Sequence, residues 1–380
     1  MRIEIKPELL RWARQRAGLA PGALKSRFPK LEAWEHGASQ PTLKQLENFA
    51  KAARVPVGFL FLSEPPVETT PIHDFRTAGG ARGRRPSPDL LDTIYICQER
   101  QVWFRDHAAT VGERELAFVG SASRSTSAEA VAAKIREELH IGLEERQKMA
   151  TWTEALRRLI EQAETAGILV MCSGVVLNNN RRQLDPSEFR GFTLADTIAP
   201  LIFINGSDSK AAQMFTLAHE LAHVWLGQSG VGDEEMTRAS ADNTERWCDH
   251  VAAEVLAPIA EVERLYRSGS DLNHEINRLA RHFKVSSLVA LRRVYDLGKL
   301  SRQQFRHAYD RELEKIKAAP TQNGGDFYLT QGARVGKRFV RALIESTADG
   351  RTLYRDALRL LGFTKLSTLH ELGRSLGVSV

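Results

Sequence analysis

Between Ala211 and Leu226 the chain runs without a break in helical pattern, and within this stretch lies His-Glu-x-x-His at residues 219–223. Histidines four apart on a helix share one face, with Cβ atoms about 6 Å apart. His219 and His223 can therefore reach one tetrahedral zinc ion together. Glu220, one step round the helix, stands where a carboxylate acts as general base toward water that the metal makes more acidic. The five-residue pattern alone is moderately specific, because two histidines can equally sit on a solvated helix face.

The next helical stretch sharpens it. Glu245 follows His223 by 22 residues, and Asp249 lies one turn beyond on the same face. If the two helices run antiparallel, Glu245 supplies a third zinc ligand. Asp249 can then accept the other N–H of a ligand histidine and fix its tautomer. Cys248 is on this helix but off that face and reads as core. His250 is the main competitor for a ligand or substrate-side role, pointing away from Glu245.

With these residues in view, the chain from about Ile168 to Pro258 resembles the ImmA/IrrE-type metallopeptidases, bacterial and phage regulators that cleave repressor proteins. The likeness is carried by the strand Leu201–Asn205, by Phe215-Thr216-Leu217-Ala218-His219-Glu220-Leu221-Ala222-His223, and by Glu245 together with Ala252-Ala253-Glu254-Val255-Leu256-Ala257-Pro258. Carried over by position, the resemblance implies His219, His223 and Glu245 as zinc ligands and Glu220 as the base. Asp249 falls where that family has Asn or Asp. In zinc peptidases of this plan an edge strand pairs with the extended substrate backbone. Leu201, Ile202, Phe203, Ile204 and Asn205 are the candidates for that docking, with an interior strand as the alternative. An oxyanion stabiliser must come from elsewhere; Tyr266, His250 and Arg190 are candidates.

Around this centre the expected fold is α+β and mostly helical. Residues 1–66 read as a small helical bundle, with Leu9, Leu10, Ala13 and Ala17 at helical spacing, a second helix at Leu24–Phe28, a third from Lys30 to His36, and another opened by Pro41-Thr42-Leu43. Gly18-Leu19, Trp34-Glu35-His36-Gly37 and Pro41-Thr42-Leu43-x-x-Leu46 resemble the phage-repressor (Cro-type) helix-turn-helix domain. The stretch between Leu24 and Trp34 is shorter than that pattern, so the groove-entering element is truncated. Lys25, Arg27 and Lys30 are the DNA-contact candidates there, against a protein-contact role.

Residues 67–90 read as a linker from their prolines and glycines, with Arg76, Arg82, Arg84 and Arg85 in it. Residues 91–310 form the expected zincin-like metallopeptidase domain with a small sheet. It includes a second helix-turn-helix-like segment at 275–298, where Ser286 caps a helix carrying Arg292 and Arg293. Residues 327–380 read as a basic helical C-terminal region containing Gly332–Arg341.

Charge and composition bound the rest. Residues 1–66 carry 11 basic against 6 acidic side chains and residues 327–380 carry 9 against 4, so both ends are basic and the middle is mildly acidic. Three cysteines, far apart, exclude a disulfide scaffold. The apolar windows are strand-length, which excludes a membrane span, and with no secretory segment the expected compartment is the cytoplasm. The expected function is a zinc-dependent endopeptidase and regulator acting on a regulatory protein. The resemblance adds an antitoxin-like setting with a toxin partner, a PIN-domain ribonuclease. The alternatives are a DNA-binding transcriptional regulator, or a toxin-sequestering module in which the zinc site is structural.

Overall fold

The computed structural model describes residues 2–75, 86–232, 242–318 and 334–378. The expected linker arginines Arg76, Arg82, Arg84 and Arg85, and Gly332 and Ala333 of the basic tail, lie outside the described residues. Sixteen helices and one five-stranded mixed sheet among the described residues make the chain α+β and mostly helical. No described helix is long and apolar enough to cross a membrane. The chain divides into two compact units, Met1–Pro71 with Arg84–Ile94, and Ile72–Gly83 with Tyr95–Val380.

The first unit holds α1 (Pro7–Arg16), α2 (Leu31–Glu35), α3 (Leu43–Ala52) and a 3-10 turn at Val57–Phe61. Pro opens α1, where its missing N–H leaves nothing unsatisfied. Thr42 caps α3 and Gln45 returns a bond to the Thr42 N–H (2.9 Å), forming a capping box. Leu9, Leu10, Trp34, Leu46 and Phe49 make the core. Inside it Arg14 clasps Glu35 in two bonds of 2.7 and 3.2 Å. The helix expected at Leu24–Phe28 is instead a run of turns over residues 21–27. Pro29 disfavours helical backbone at Phe28, and five residues cannot repay helix nucleation. Leu24 and Phe28 still enter the core, leaving Lys25, Arg27 and Lys30 exposed on the turns.

In the second unit the sheet order is β1 (His73–Asp74), β5 (Gly230–Val231), β3 (Gly191–Leu194), β4 (Leu201–Asn205), β2 (Leu169–Ser173). β2 runs parallel to β4, β3 antiparallel to both β4 and β5, and β1 parallel to β5. One consequence corrects the sequence reading: Leu201, Ile202, Phe203, Ile204 and Asn205 form an interior strand, all five buried, with a partner on each side. They offer no open edge to a substrate. The reason is visible in the strand itself, since an apolar run buried on both faces is what a central strand requires. A second correction concerns residues 67–90, where β1 belongs to the sheet although the stretch is rich in prolines. A two-residue strand held by backbone bonds leaves no hydrophobic period to read.

Helices cover both faces of the sheet. On one side lies the part of α4 (Pro88–Val111) from Tyr95 onward, whose Gln101 amide donates to the Leu194 and Ala199 carbonyls at 2.8 Å each. On the other, Val170, Ile202 and Ile204 join one buried cluster with Met214, Leu217, Ala218 and Leu221 of α8 (Lys210–Leu226) and Val251 and Ala252 of α9 (Asn243–Leu256). α5 (Ala128–Glu138), α6 (Leu143–Lys148) and α7 (Trp152–Thr165) pack around them, followed by α10 (Ile259–Leu265), α11 (Leu272–Phe283), α12 (Ser287–Asp296) and α13 (Arg302–Ala318). Three arginines meet the C-terminal end of α9: Arg136 donates to the Glu254 carbonyl, Arg146 to that of Leu256, and Arg293 to that of Ala257 (2.9 Å). Cations there complement the helix dipole and its orphan carbonyls. Arg293, on the second helix of the 275–298 segment, is thus buried and also paired with Glu254.

The C-terminal helices α14 (Lys337–Ala348), α15 (Tyr354–Leu361) and α16 (Leu366–Ser375) dock on this unit through Phe339, which meets Trp103 edge-on at 5.4 Å. Lys337 pairs with Glu161 (3.0 Å) and Arg338 with Glu113 (2.5 Å). Gly336, at φ +85°, lies against β2, where a Cβ would come 2.7 Å from the Val170 carbonyl oxygen. Burial lifts the neighbouring Glu164 carboxyl to about 7, against the opposing Arg338 N–H and the charges of Lys337 and Arg338. A carboxyl whose folded pKa is raised stabilises below its unfolded value of 4.5 and loses that contribution as pH rises through about 7. Glu164→Gln, which keeps an acceptor for the Arg338 N–H, should therefore gain on wild type by up to about 3 kcal/mol between pH 4.5 and 8. Denaturant unfolding across that range checks it; a pH-independent difference would remove Glu164 as the cause.

Candidate metal centre

α8 is built to be buried. Ser209 caps its start, accepting from the Ala212 N–H, and Gly227 ends it in the left-handed conformation at φ +66°. Every residue from Gln213 to Trp225 is buried, so the two histidines and Glu220 point into the protein and not to solvent. α9 lies alongside, its N-cap Asp242 accepting from the Thr244 N–H, which places Glu245 in the first turn. His219, Glu220 and His223 are 1% exposed and Glu245 2%.

The imidazoles face each other through their Nε2 atoms, 3.2 Å apart. Glu245 closes the triangle: one carboxylate oxygen lies 3.1 Å from His223 Nε2 and the other 3.4 Å from His219 Nε2. His219 Nδ1 lies 2.9 Å from Asp249 Oδ1. If Nδ1 carries the proton and donates it to Asp249, the Nε2 lone pair is turned toward the triangle. Burial pulls the His223 imidazole below its ordinary pKa, opposed mainly by its bond to Glu245. For Glu245, burial pushes upward, yet the bonds and charges of the two histidines outweigh it and hold the carboxyl below the usual range.

These residues fit a zinc ion. Tetrahedral ligands about 2.0–2.1 Å from zinc stand roughly 3.3–3.4 Å apart, close to the three separations found. Among the described residues, both Glu245 oxygens are buried with no hydrogen-bond donor other than these imidazole nitrogens, an expensive arrangement unless a cation shares the pocket. Cys248 Sγ also comes within 4.8 Å of the histidine ligand atoms. Burial, helped by the Glu245, Asp249 and Glu220 charges and opposed by His219, keeps its thiol well above the ordinary pKa. Cys248 is thus a fourth donor beside the triangle, and a bound cation would favour its thiolate.

Glu220 is positioned by a residue that the sequence did not advertise. The Thr193 hydroxyl, on β3, lies 2.6 Å from Glu220 Oε2 and donates to it. β3 comes this close because Gly191 has no side chain; a Cβ there would stand 3.0 Å from Glu220 Oε1. Gly232 plays the same part for Glu245, since its Cβ would fall 2.6 Å from Oε2. Gly191-Phe192-Thr193-Leu194 carries a strand signal, glycine then β-formers, that could have been read. Of the oxyanion candidates, Arg190 is engaged with Asp208 (3.6 Å), Tyr266 packs against the helical core after α10, and His250 is exposed.

One comparison with known proteins bears on this part of the chain. Residues 163–295 match the family model described as the IrrE N-terminal-like domain, a span that holds all four buried site residues and supports a metallopeptidase of the ImmA/IrrE type in this part of the chain. Residues 335–375, covering α14 to α16, match a domain of unknown function. No curated protein matches the chain.

Losing the Asp249 bond should free the His219 ring. Asp249→Ala is expected to weaken zinc binding 10- to 100-fold, read by competition with a chromophoric chelator. An affinity within twofold of wild type would mean that Asp249 does not orient the ligand.

Proposed function

We propose that this chain is a zinc-dependent endopeptidase that acts on a regulatory protein. The observation that carries the reading is the triangle of His219, His223 and Glu245 ligand atoms at 3.1–3.4 Å, with Glu220 buried beside it. When bound, zinc would supply Lewis acidity toward water and the scissile carbonyl. The chain's own residues supply the rest. Glu220 takes a proton from water and passes it to the leaving amine. Thr193 holds one Glu220 oxygen, which leaves the carboxylate one orientation. Asp249 keeps the proton of His219 on Nδ1, and the surrounding apolar helices keep bulk water out, which strengthens each of these interactions.

The substrate is proposed from the resemblance: a repressor or another regulatory protein, in an antitoxin-like setting whose partner is a toxin such as a PIN-domain ribonuclease. A second reading, DNA contact by the first unit, is favoured by the exposed Lys25, Arg27 and Lys30 on turns 21–30. Binding of that kind would weaken steeply with salt and fall further on replacing the three cations.

Glu220→Gln separates a peptidase from a structural zinc site. It should retain about one zinc per chain while lowering kcat/KM on a cleaved peptide at least about 100-fold. Cells expressing wild type should contain new protein N-termini that are absent with Glu220→Gln, and those termini identify the peptide to use. Identical N-termini in both would refute the peptidase reading, and loss of zinc in Glu220→Gln would assign that residue to the metal and not to the proton.

A further inference from the structure

The two ligand histidines are supported in different ways. His219 is tied through Nδ1 to Asp249. His223 Nδ1 is buried and has no hydrogen-bond partner among the described residues. What touches that ring instead is Phe75, from the segment that joins the sheet as β1. The Phe75 ring lies over the His223 imidazole with centroids 5.3 Å apart and planes inclined by 29°, and Phe75 itself is only 8% exposed.

Three features put Phe75 there. β1 pairs with β5 in a set register, His73 opposite Gly230 and Asp74 opposite Val231. Gly230 has no side chain, and the ring occupies that room: a Cβ would overlap Phe75 Cε2 and stand 2.7 Å from Cδ2. The His73 ring meets Phe75 edge-on, with centroids 4.4 Å apart.

We propose that Phe75 is a positioning residue for His223, doing by stacking what Asp249 does for His219 by hydrogen bonding. An imidazole without a bond at its far nitrogen is free to rock about its broad terminal torsion. A ring stacked against its face at this tilt removes that freedom and holds Nε2 toward Glu245 and His219. The same ring shields the nitrogen from water, which slows ligand exchange. The proposal rests on the zinc reading above and adds to it a residue that lies outside the span matching the IrrE N-terminal-like domain.

The test uses the full chain loaded with zinc and follows metal release into an excess of chromophoric chelator. Phe75→Leu, which keeps apolar bulk but loses the flat ring, should release zinc about tenfold faster than wild type, with the melting temperature of the metal-free protein nearly unchanged. Phe75→Tyr, which restores the ring, should bring the rate back to within about threefold. In metal-free wild type, NMR should find the His223 ring protons shifted upfield by the Phe75 ring current, a reading that needs neither metal nor mutation. Wild-type release rates in Phe75→Leu, with zinc bound normally, would overturn this proposal alone, as would unshifted His223 protons. A wild type that takes up no zinc would overturn the zinc reading and this proposal with it.

Discussion

Four titratable side chains, His219, Glu220, His223 and Glu245, are packed side by side in the seam between two helices, and the surrounding structure answers to that constraint. Burying charge is costly unless each group finds a partner. Here the histidines and Glu245 partner one another, Thr193 serves Glu220, and Asp249 serves His219. The seam closes because the remaining positions of α8 and α9 are apolar or small: Leu217, Ala218, Leu221 and Ala222 against Cys248, Val251 and Ala252. Alanines in the contact let the backbones approach closely enough for a carboxylate on α9 to reach imidazoles on α8.

The reach of Glu245 depends on events at the opposite end of its helix. Arg136, Arg146 and Arg293 hold the last carbonyls of α9, which fixes the helix along its axis and opposes its dipole. At the other end Gly232 admits the Glu245 carboxylate where any side chain would collide with it. Gly191 does the same for Glu220 from the sheet side. The site is therefore bounded by backbone, which cannot swing aside as a flexible side chain could.

Much of the positive charge counted along the chain is used inside the fold. Arg293 is buried against Glu254, and Lys337 and Arg338 pair with acidic residues of α7 and of the loop after α4. The basic C-terminal region is to that extent an internal docking surface, lying against the edge strand β2 at Gly336 and bonded to α7 through Glu164. Lys25, Arg27 and Lys30 stand apart from this pattern, because the turns that carry them expose all three while Leu24 and Phe28 fill the core.

The sequence by itself determined which side chains of the candidate site share a helix face. Spacing of four residues on a helix puts His219 and His223 on one face whatever surrounds them, and the same rule pairs Glu245 with Asp249. The helical seam and the strand at 201–205 were legible for the same reason, since their patterns are local. Only the tertiary structure chose between the edge and the interior place that the sequence left open for Leu201–Asn205, because strand order arises from pairings between segments far apart in the chain. It also decided that His73–Phe75 leaves a proline-rich stretch to join the sheet and meet His223, and that Thr193, Gly191 and Gly232 border the carboxylates. These residues act through a single hydroxyl, an aromatic face or a missing Cβ. Such features have no period along a sequence and take on meaning only once distant backbones meet.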